Sequence, residues 1–241
     1  MLRHTLKFLA VLLMVFTTSV TLKAEETTYR LDVGDFSELQ VIDPINVIHR
    51  CNADSAGTAV FTTTPEIVKA IMFTNNKGKL KIERNLDVPL SPIHFPTITV
   101  YSKFISSAEN FSDSTIYIET PTPGASFKAL LQGNGTIRVN NLHTTQTSAK
   151  IETGKGDIIM NGVTQSIKLN NVGTGRIDAG DLRASEGTVT IVGTGLVECY
   201  VTKELYVKGM GSGKVYVIGD PKIKKRAIGS IKVINVDETS L

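Results

Sequence analysis

Apolar and polar residues alternate with a period of two in short runs through the second half of the chain, and the alternation restarts at regular intervals. Each restart follows a Gly-x-Gly: Gly133-Asn134-Gly135, Gly154-Lys155-Gly156, Gly173-Thr174-Gly175, Gly193-Thr194-Gly195 and Gly211-Ser212-Gly213, whose first glycines lie 21, 19, 20 and 18 residues apart. Four residues beyond each first glycine stand Ile137, Ile158, Ile177, Val197 and Val215, and six beyond it Val139, Met160, Ala179, Cys199 and Val217. Period-two alternation puts both series on the inner face of a strand and leaves Arg138, Ile159, Asp178, Glu198 and Tyr216 between them on the outer face. A third inward position follows at Leu142, Val163, Leu182 and Val201. A further inward pair precedes the next motif: Phe127 and Ala129, Ala149 and Ile151, Ile167 and Leu169, Leu205 and Val207, with the Ala149 pair offset by one residue in the manner of a bulge.

A chain that turns two or three corners in about 20 residues and then repeats the circuit predicts an all-β protein: a right-handed parallel β-helix with rungs of 18–21 residues. Each strand then pairs with its equivalent in the next rung, about 4.8 Å away. The five glycine pairs become corners, where positive φ carries no steric cost and a missing side chain lets rungs approach. The repeat extends past the visible glycines. Ser112-Asp113-Ser114-Thr115-Ile116-Tyr117-Ile118 aligns with Gly133 to Val139 at a spacing of 21, and Gly229-Ser230-Ile231-Lys232-Val233 reads as a shortened last copy.

Ahead of the repeats, residues 25–97 read as N-terminal strands and a Pro-rich loop that cap one end of a single domain spanning 25–241, with the rungs in 98–241. Phe36, Leu39, Val41, Ile45 and Val47 alternate, and Val60 to Thr64 is rich in β-formers. Ile67 to Phe73 carries three β-branched residues and is read as a strand; Asn75-Asn76-Lys77-Gly78 is a turn. Pro89, Pro92 and Pro96 mark a surface loop, because proline supplies no backbone donor to a central strand.

The first 24 residues read as a secretory leader: Arg3 and Lys7, an apolar run from Phe8 to Phe16, then Leu22-Lys23-Ala24. Removing them changes the charge argument. The chain has 26 Lys and Arg against 23 Asp and Glu, and the leader holds three of the basic residues and no acidic one, so the remainder balances. A balanced chain gives no electrostatic reason for a nucleic-acid partner. No later run is long and apolar enough to span a bilayer as a helix, and no cysteine follows the leader to take a lipid. These features predict an exported protein of the periplasm, cell surface or extracellular space. An oxidising compartment permits a Cys51–Cys199 disulfide, but Cys199 belongs to an inward ladder, where a small apolar packing role is expected of it.

The segments Phe36-Ser37-Glu38-Leu39-Gln40-Val41 and Gly78-Lys79-Leu80-Lys81-Ile82, the Gly-x-Gly rungs, and Gly211-Ser212-Gly213-Lys214-Val215-Tyr216-Val217-Ile218-Gly219-Asp220-Pro221 followed by Ile228-Gly229-Ser230-Ile231 resemble the head GIN domain family of exported bacterial proteins, found mainly in Bacteroidetes and named for an auto-transporter adhesin. Among the rungs only Gly154-Lys155-Gly156-Asp157 keeps the aspartate of that family's usual Gly-Ser-Gly-Asp. The resemblance implies a β-helix and an envelope or surface location.

The candidate chemistry is sparse. Five Gly-x-Gly copies, none opening a phosphate loop with a third glycine or Gly-Lys-Ser/Thr, argue for structural corners and against a cofactor site. The residues after the motifs, Thr136, Asp157, Arg176, Leu196 and Lys214, make no carboxylate ladder for calcium. His49, Cys51, His94 and His143 do not assemble a metal-binding spacing, so neither metal nor cofactor is expected. Asp178 and Glu198 share an outward position on successive rungs, roughly 5 Å apart, the spacing of a retaining glycosidase pair. That supports an alternative reading as a polysaccharide-processing enzyme. The reading preferred here is a non-catalytic, adhesin-like module that presents flat β-helix faces to a glycan or to an envelope or surface protein. Outward Tyr117 and Tyr216, with Tyr200 and Tyr206, are its candidate contact residues.

Overall fold

In the computed structural model, residues 25–89 and 94–236 are described; the expected leader over 1–24, Pro92 of the Pro-rich loop and residues 237–241 lie outside them. The elements in order are β1 (Thr27–Asp32), β2 (Glu38–Val41), β3 (Val47–Cys51), β4 (Thr58–Thr63), α1 (Pro65–Lys69), β5 (Ile71–Asn76), β6 (Lys79–Arg84), β7 (Ile98–Ser102), β8 (Ser107–Asn110) and β9 (Thr115–Ile118). There follow β10 (Gly124–Gln132), β11 (Thr136–Thr153), β12 (Asp157–Gly173), β13 (Arg176–Gly193), β14 (Leu196–Gly211), β15 (Lys214–Ile218), β16 (Lys222–Gly229) and β17 (Lys232–Val236). From β8 onward the neighbours pair in parallel, strand on equivalent strand, in a β-solenoid of about six turns.

Each rung has two faces joined by a bend and closed by a glycine corner. The first face stacks β9, the start of β11, and the starts of β12, β13 and β14 on β15 and β17. The second stacks β8, β10 and the ends of β11 to β14 on β16. On the first face the inward columns fall where the alternation places them: Ile137, Ile158, Ile177, Val197 and Val215, and Val139, Met160, Ala179, Cys199 and Val217, are all buried. Each fully buried aliphatic is worth about 1.5–3 kcal/mol. Stacked at rung spacing, they make one hydrophobic core that runs from Phe36 to Ile231.

The second face has three inward columns where the sequence pattern suggested two. They are Phe127–Thr147–Ile167–Gly187–Leu205, Ala129–Ala149–Leu169–Val189–Val207 and Leu131–Ile151–Asn171–Ile191–Gly209. Ala149 and Ile151 occupy the second and third columns, not the first two, because the first is taken by buried Thr147. The one-residue offset of the Ala149 pair from its corner is the bulge expected there: Leu131 pairs with Ile151 but Gln132 with Thr153. Val163 is also corrected, being 50% exposed. The bend after Met160 is one residue shorter than the bend after Val139, so Gly162 pairs with Leu142 and Leu182, and buried Thr164 fills the next inward place.

The two glycines of a corner have different physical tasks, as Gly154 and Gly156 show. Gly154 has φ +98°, a conformation L side chains rarely adopt, and a Cβ there would lie 2.0 Å from the Gly133 carbonyl oxygen. Gly156 has no positive φ; what it lacks is space, since its Cβ would lie 2.3 Å from the Gly135 oxygen. The polar middle residues tie rung to rung: the Asn134 amide donates to Asp113 Oδ1 at 3.1 Å, and the Lys155 amide donates to Asn134 Oδ1 at 3.2 Å.

The N-terminal segment does more than cap. Strands β2 and β3 form a rung of the parallel stack, with β6 and β7 on one side and β8 and β9 on the other. The chain lays down one rung, leaves it through β4, α1 and β5, and returns to add the next rung on the outer side. Antiparallel β1 pairs β4, β4 pairs β7 and β5 pairs β6, closing that end. Tyr29, Phe61 and Phe73 stack in a row across it, 6.0 Å between successive rings. The strand expected over Ile67–Phe73 is instead helix α1 followed by β5. Pro65 at the first helical turn, acidic Glu66 beside it and basic Lys69 in the last turn favour the helix over the β-branched content. The Lys77-Gly78 turn has both residues at positive φ, as a two-residue hairpin requires. No strand occupies 85–89 or 94–97, in keeping with the proline loop.

Candidate functional site

The outward side chains of the second face line a groove of about 670 Å³ that crosses the rungs. Its floor is the Phe127–Thr147–Ile167–Gly187–Leu205 column. One wall is the register column Lys128–Ser148–Lys168–Thr188–Tyr206–Lys224, and the other is Ser126–Gln146–Ser166–Glu186–Glu204. Because each step is one parallel strand, the groove presents a new wall side chain every 4.8 Å or so. Its walls carry hydroxyls, an amide, three ammonium groups, two carboxylates and one aromatic ring. Among the described residues the one ion pair between the walls is Lys224 Nζ to Glu204 Oε2 at 3.3 Å. At the floor, Thr147 shares hydroxyl hydrogen bonds of 2.7–3.2 Å with Thr144 and Thr164, which ties the floor to the bend.

Sequence reasoning missed this groove because it anchored on the glycines, which index the first face. The readable signal was the alternation around Phe127, Ile167 and Leu205, which sets Lys128, Lys168 and Tyr206 on one outward column. Of the four outward tyrosines, only Tyr206 lines the groove. Tyr117 and Tyr216 lie on one column of the first face, separated by Arg138, Ile159, Asp178 and Glu198, so five rung steps, roughly 24 Å, part them. Tyr117 Oη accepts a 2.7 Å hydrogen bond from Asn140 Nδ2, and Tyr200 lies under the Arg183 guanidinium, 5.1 Å from it.

Asp178 and Glu198 are register neighbours, as the sequence placed them, but they are not alone. Arg176 Nη2 sits 2.7 Å from Asp178 Oδ2 and 3.3 Å from Glu198 Oε2. A guanidinium shared by two carboxylates compensates both charges.

Two of the remaining candidates, Cys199 and His49, are buried in the inward columns. Cys51 and Cys199 are both free thiols, and burial pushes the Cys199 thiol up to about 12, which makes it unreactive. Buried His49 stands in the inward column with Val100 and Ile118; its Nε2 meets Ser102 Oγ at 2.8 Å, Nδ1 has no hydrogen-bond partner among the described residues, and burial lowers its pKa to about 4. Among the described residues no group of His, Cys, Asp and Glu has the proximity to hold a metal ion. The second-glycine corners receive an unforeseen support: buried Asn110 and Asn171, each two residues before a motif, donate through Nδ2 to the Ser114 and Gly175 carbonyls at 2.7 and 2.6 Å.

A parallel solenoid with rungs closed by paired small residues matches, over residues 35–221, the family described as "Putative auto-transporter adhesin, head GIN domain". The chain belongs to this family. Membership implies an exported or surface protein. The fold is shared with a "putative adhesin" from Bacteroides fragilis (TM-score 0.79, 21% identity, covering 88% of this chain and 98% of that one). It is shared likewise with a "putative adhesin" from Parabacteroides distasonis (0.73, 18%, 88% and 98%) and with a "putative lipid binding protein" from the same organism (0.69, 19%, 88% and 96%). No curated protein matches the chain. Among the described residues no helix is long and apolar enough to cross a membrane.

Proposed function

We propose that this head GIN domain protein is a non-catalytic, envelope-displayed binding module whose second-face groove holds an extended glycan. The observation that carries the reading is the groove's periodicity. Every rung sets a polar side chain on the wall, whether hydroxyl, amide, ammonium or carboxylate, at one rung spacing, close to the length of a single sugar ring, so successive rungs meet successive sugars. Tyr206, 36% exposed at one end, offers the aromatic face on which a pyranose stacks. Such a ligand gains its affinity from many modest polar contacts, which suits an open groove better than a flat face.

The test is titration of the mature protein against a glycan array and calorimetry on the hits. Tyr206→Ala and Lys168→Ala are expected to weaken binding at least tenfold, whereas Tyr216→Ala on the first face leaves it unchanged. Glycan binding indifferent to both groove substitutions, or lost on Tyr216→Ala, refutes the groove assignment.

A further inference from the structure

Beyond the groove, the C-terminal rungs carry a surface of a different kind. Val172, Val192, Met210 and Ile228 are register neighbours on four successive rungs, all outward. Met210 is 54% exposed and Ile228 72%. This aliphatic stripe lies beside the glycine corners Gly173, Gly193, Gly211 and Gly229, so it forms a ridge along the stack. Cations flank its C-terminal half on both sides: Lys208 and Arg226 two residues before it on the second face, Lys214 and Lys232 just beyond the corner on the first. All four are exposed, and no described acidic residue pairs with any of them. From 214 to 236 the chain holds six basic residues against one acidic, Asp220, although the chain after the leader is balanced.

Lysines on a terminal strand blunt unwanted strand pairing, and that alone accounts for part of this charge. Lys225, which stands in an inward column and donates from Nζ to the Ile231 carbonyl at 2.6 Å, is used that way. Edge protection does not explain why the cations flank an exposed isoleucine and methionine. It also leaves unexplained a depression of about 440 Å³ beside the stripe, which Lys208, Arg226, Tyr206 and Ile228 line.

We propose that this ridge docks on an anionic lipid surface, with Met210 and Ile228 entering the interface and Lys208 and Arg226 holding a phosphate headgroup in the depression. Apolar side chains ringed by cations are the chemistry such a surface selects, the aliphatics through burial and the cations through the negative surface potential. The occupant is a membrane and not a second copy of the chain, because two such ridges face to face oppose cation to cation.

Co-sedimentation of the mature protein with vesicles tests this. Binding is expected to vesicles containing phosphatidylglycerol, to fall at least tenfold with phosphatidylcholine alone, and to weaken with salt. The double substitution Lys208→Glu/Arg226→Glu should abolish it, and Ile228→Ser should reduce it severalfold; both sites are exposed, and an unchanged melting temperature verifies folding. Lys168→Glu in the groove should leave it intact. Equal binding to both vesicle types, no binding to either, or anionic binding indifferent to Ile228→Ser overturns the proposal. So does equally tight capture of soluble dextran sulfate that also ignores Ile228→Ser, which would make the patch a reader of anionic polymers.

Discussion

From β10 to β14 every rung follows its predecessor in sequence, pairs in parallel on both sides and closes through Gly-x-Gly, whereas the N-terminal rungs β2/β3 and β6/β7 are stacked out of sequence order, carry no Gly-x-Gly and depend on antiparallel strands and an aromatic row to close their end. The same core columns run through both regions. The difference shows that the glycine corner is not what makes the solenoid. It is what lets one rung follow the next by the shortest route, with carbonyls of the earlier corner bonded to amides of the later one, as from the Asp157 amide to the Gly135 oxygen at 3.0 Å. Where the chain leaves the stack between rungs, hairpins do the turning and the constraint on small residues disappears.

The largest effect expected is at the centre of the regular region. Ile177 is fully buried between Ile158 and Val197, so Ile177→Asp places an unpaired charge inside a column that neighbours on both sides depend on. A loss of more than about 5 kcal/mol is expected, enough to prevent folding. Soluble protein with an unchanged circular dichroism spectrum and melting temperature would show that the column does not point inward.

Next comes the corner itself. Gly154→Ala combines a φ of +98° with a Cβ 2.0 Å from the Gly133 oxygen, and about 4 kcal/mol of destabilisation is expected from strain and overpacking together. Ser112→Ala, at the equivalent position of the serine copy, faces neither problem: Ser112 is absent from the positive-φ residues and its hydroxyl bonds Asn110 Oδ1 at 2.9 Å, so about 1 kcal/mol is expected. Chemical denaturation of the two variants measures the contrast. Equal losses would mean that the corners are equivalent after all.

How far this was legible in the sequence follows the same division. The first-face columns could be read residue by residue, because Gly-x-Gly gives the alternation a fixed origin in every rung. The bend could not: Val163 looked inward because nothing local reveals that Gly162 takes the place of Leu142 and Leu182. Out-of-order stacking of β6/β7 on β2/β3 left no trace in a period, since pairing between distant segments leaves no spacing to count. The groove was hidden for a related reason, as it is made of outward residues such as Lys168 and Tyr206 whose types, taken singly, fit any solvated surface.

A smaller effect is expected from His49, the polar member of an otherwise apolar column in the N-terminal region. Burial holds its folded pKa near 4 against 6.5 in the unfolded chain, so unfolding takes up a proton below about pH 6.5. The stability associated with neutral His49 is complete above pH 6.5 and is lost as pH falls towards 4, by at most about 3 kcal/mol. Urea unfolding of the protein and of His49→Gln at pH 7 and pH 4.5 should show a steeper acid loss for the natural sequence. Parallel pH dependence would place the acid sensitivity elsewhere.

The smallest effect is expected outside the core, at Arg176. Its guanidinium joins Asp178 and Glu198 across two rungs, yet its side chain is 45% exposed, so water screens much of the attraction. Arg176→Ala should cost less than about 1 kcal/mol, far below Gly154→Ala one corner earlier, and Glu198→Gln should cost similarly little. The same pair of variants separates the two uses this carboxylate pair admits. If it is a surface ion-pair cluster, purified protein cleaves no member of a glycan panel and neither substitution changes glycan binding in the groove. Cleavage by the natural sequence that Glu198→Gln abolishes would move the chemistry to the first face, and the regular region would then carry a reaction in addition to a scaffold.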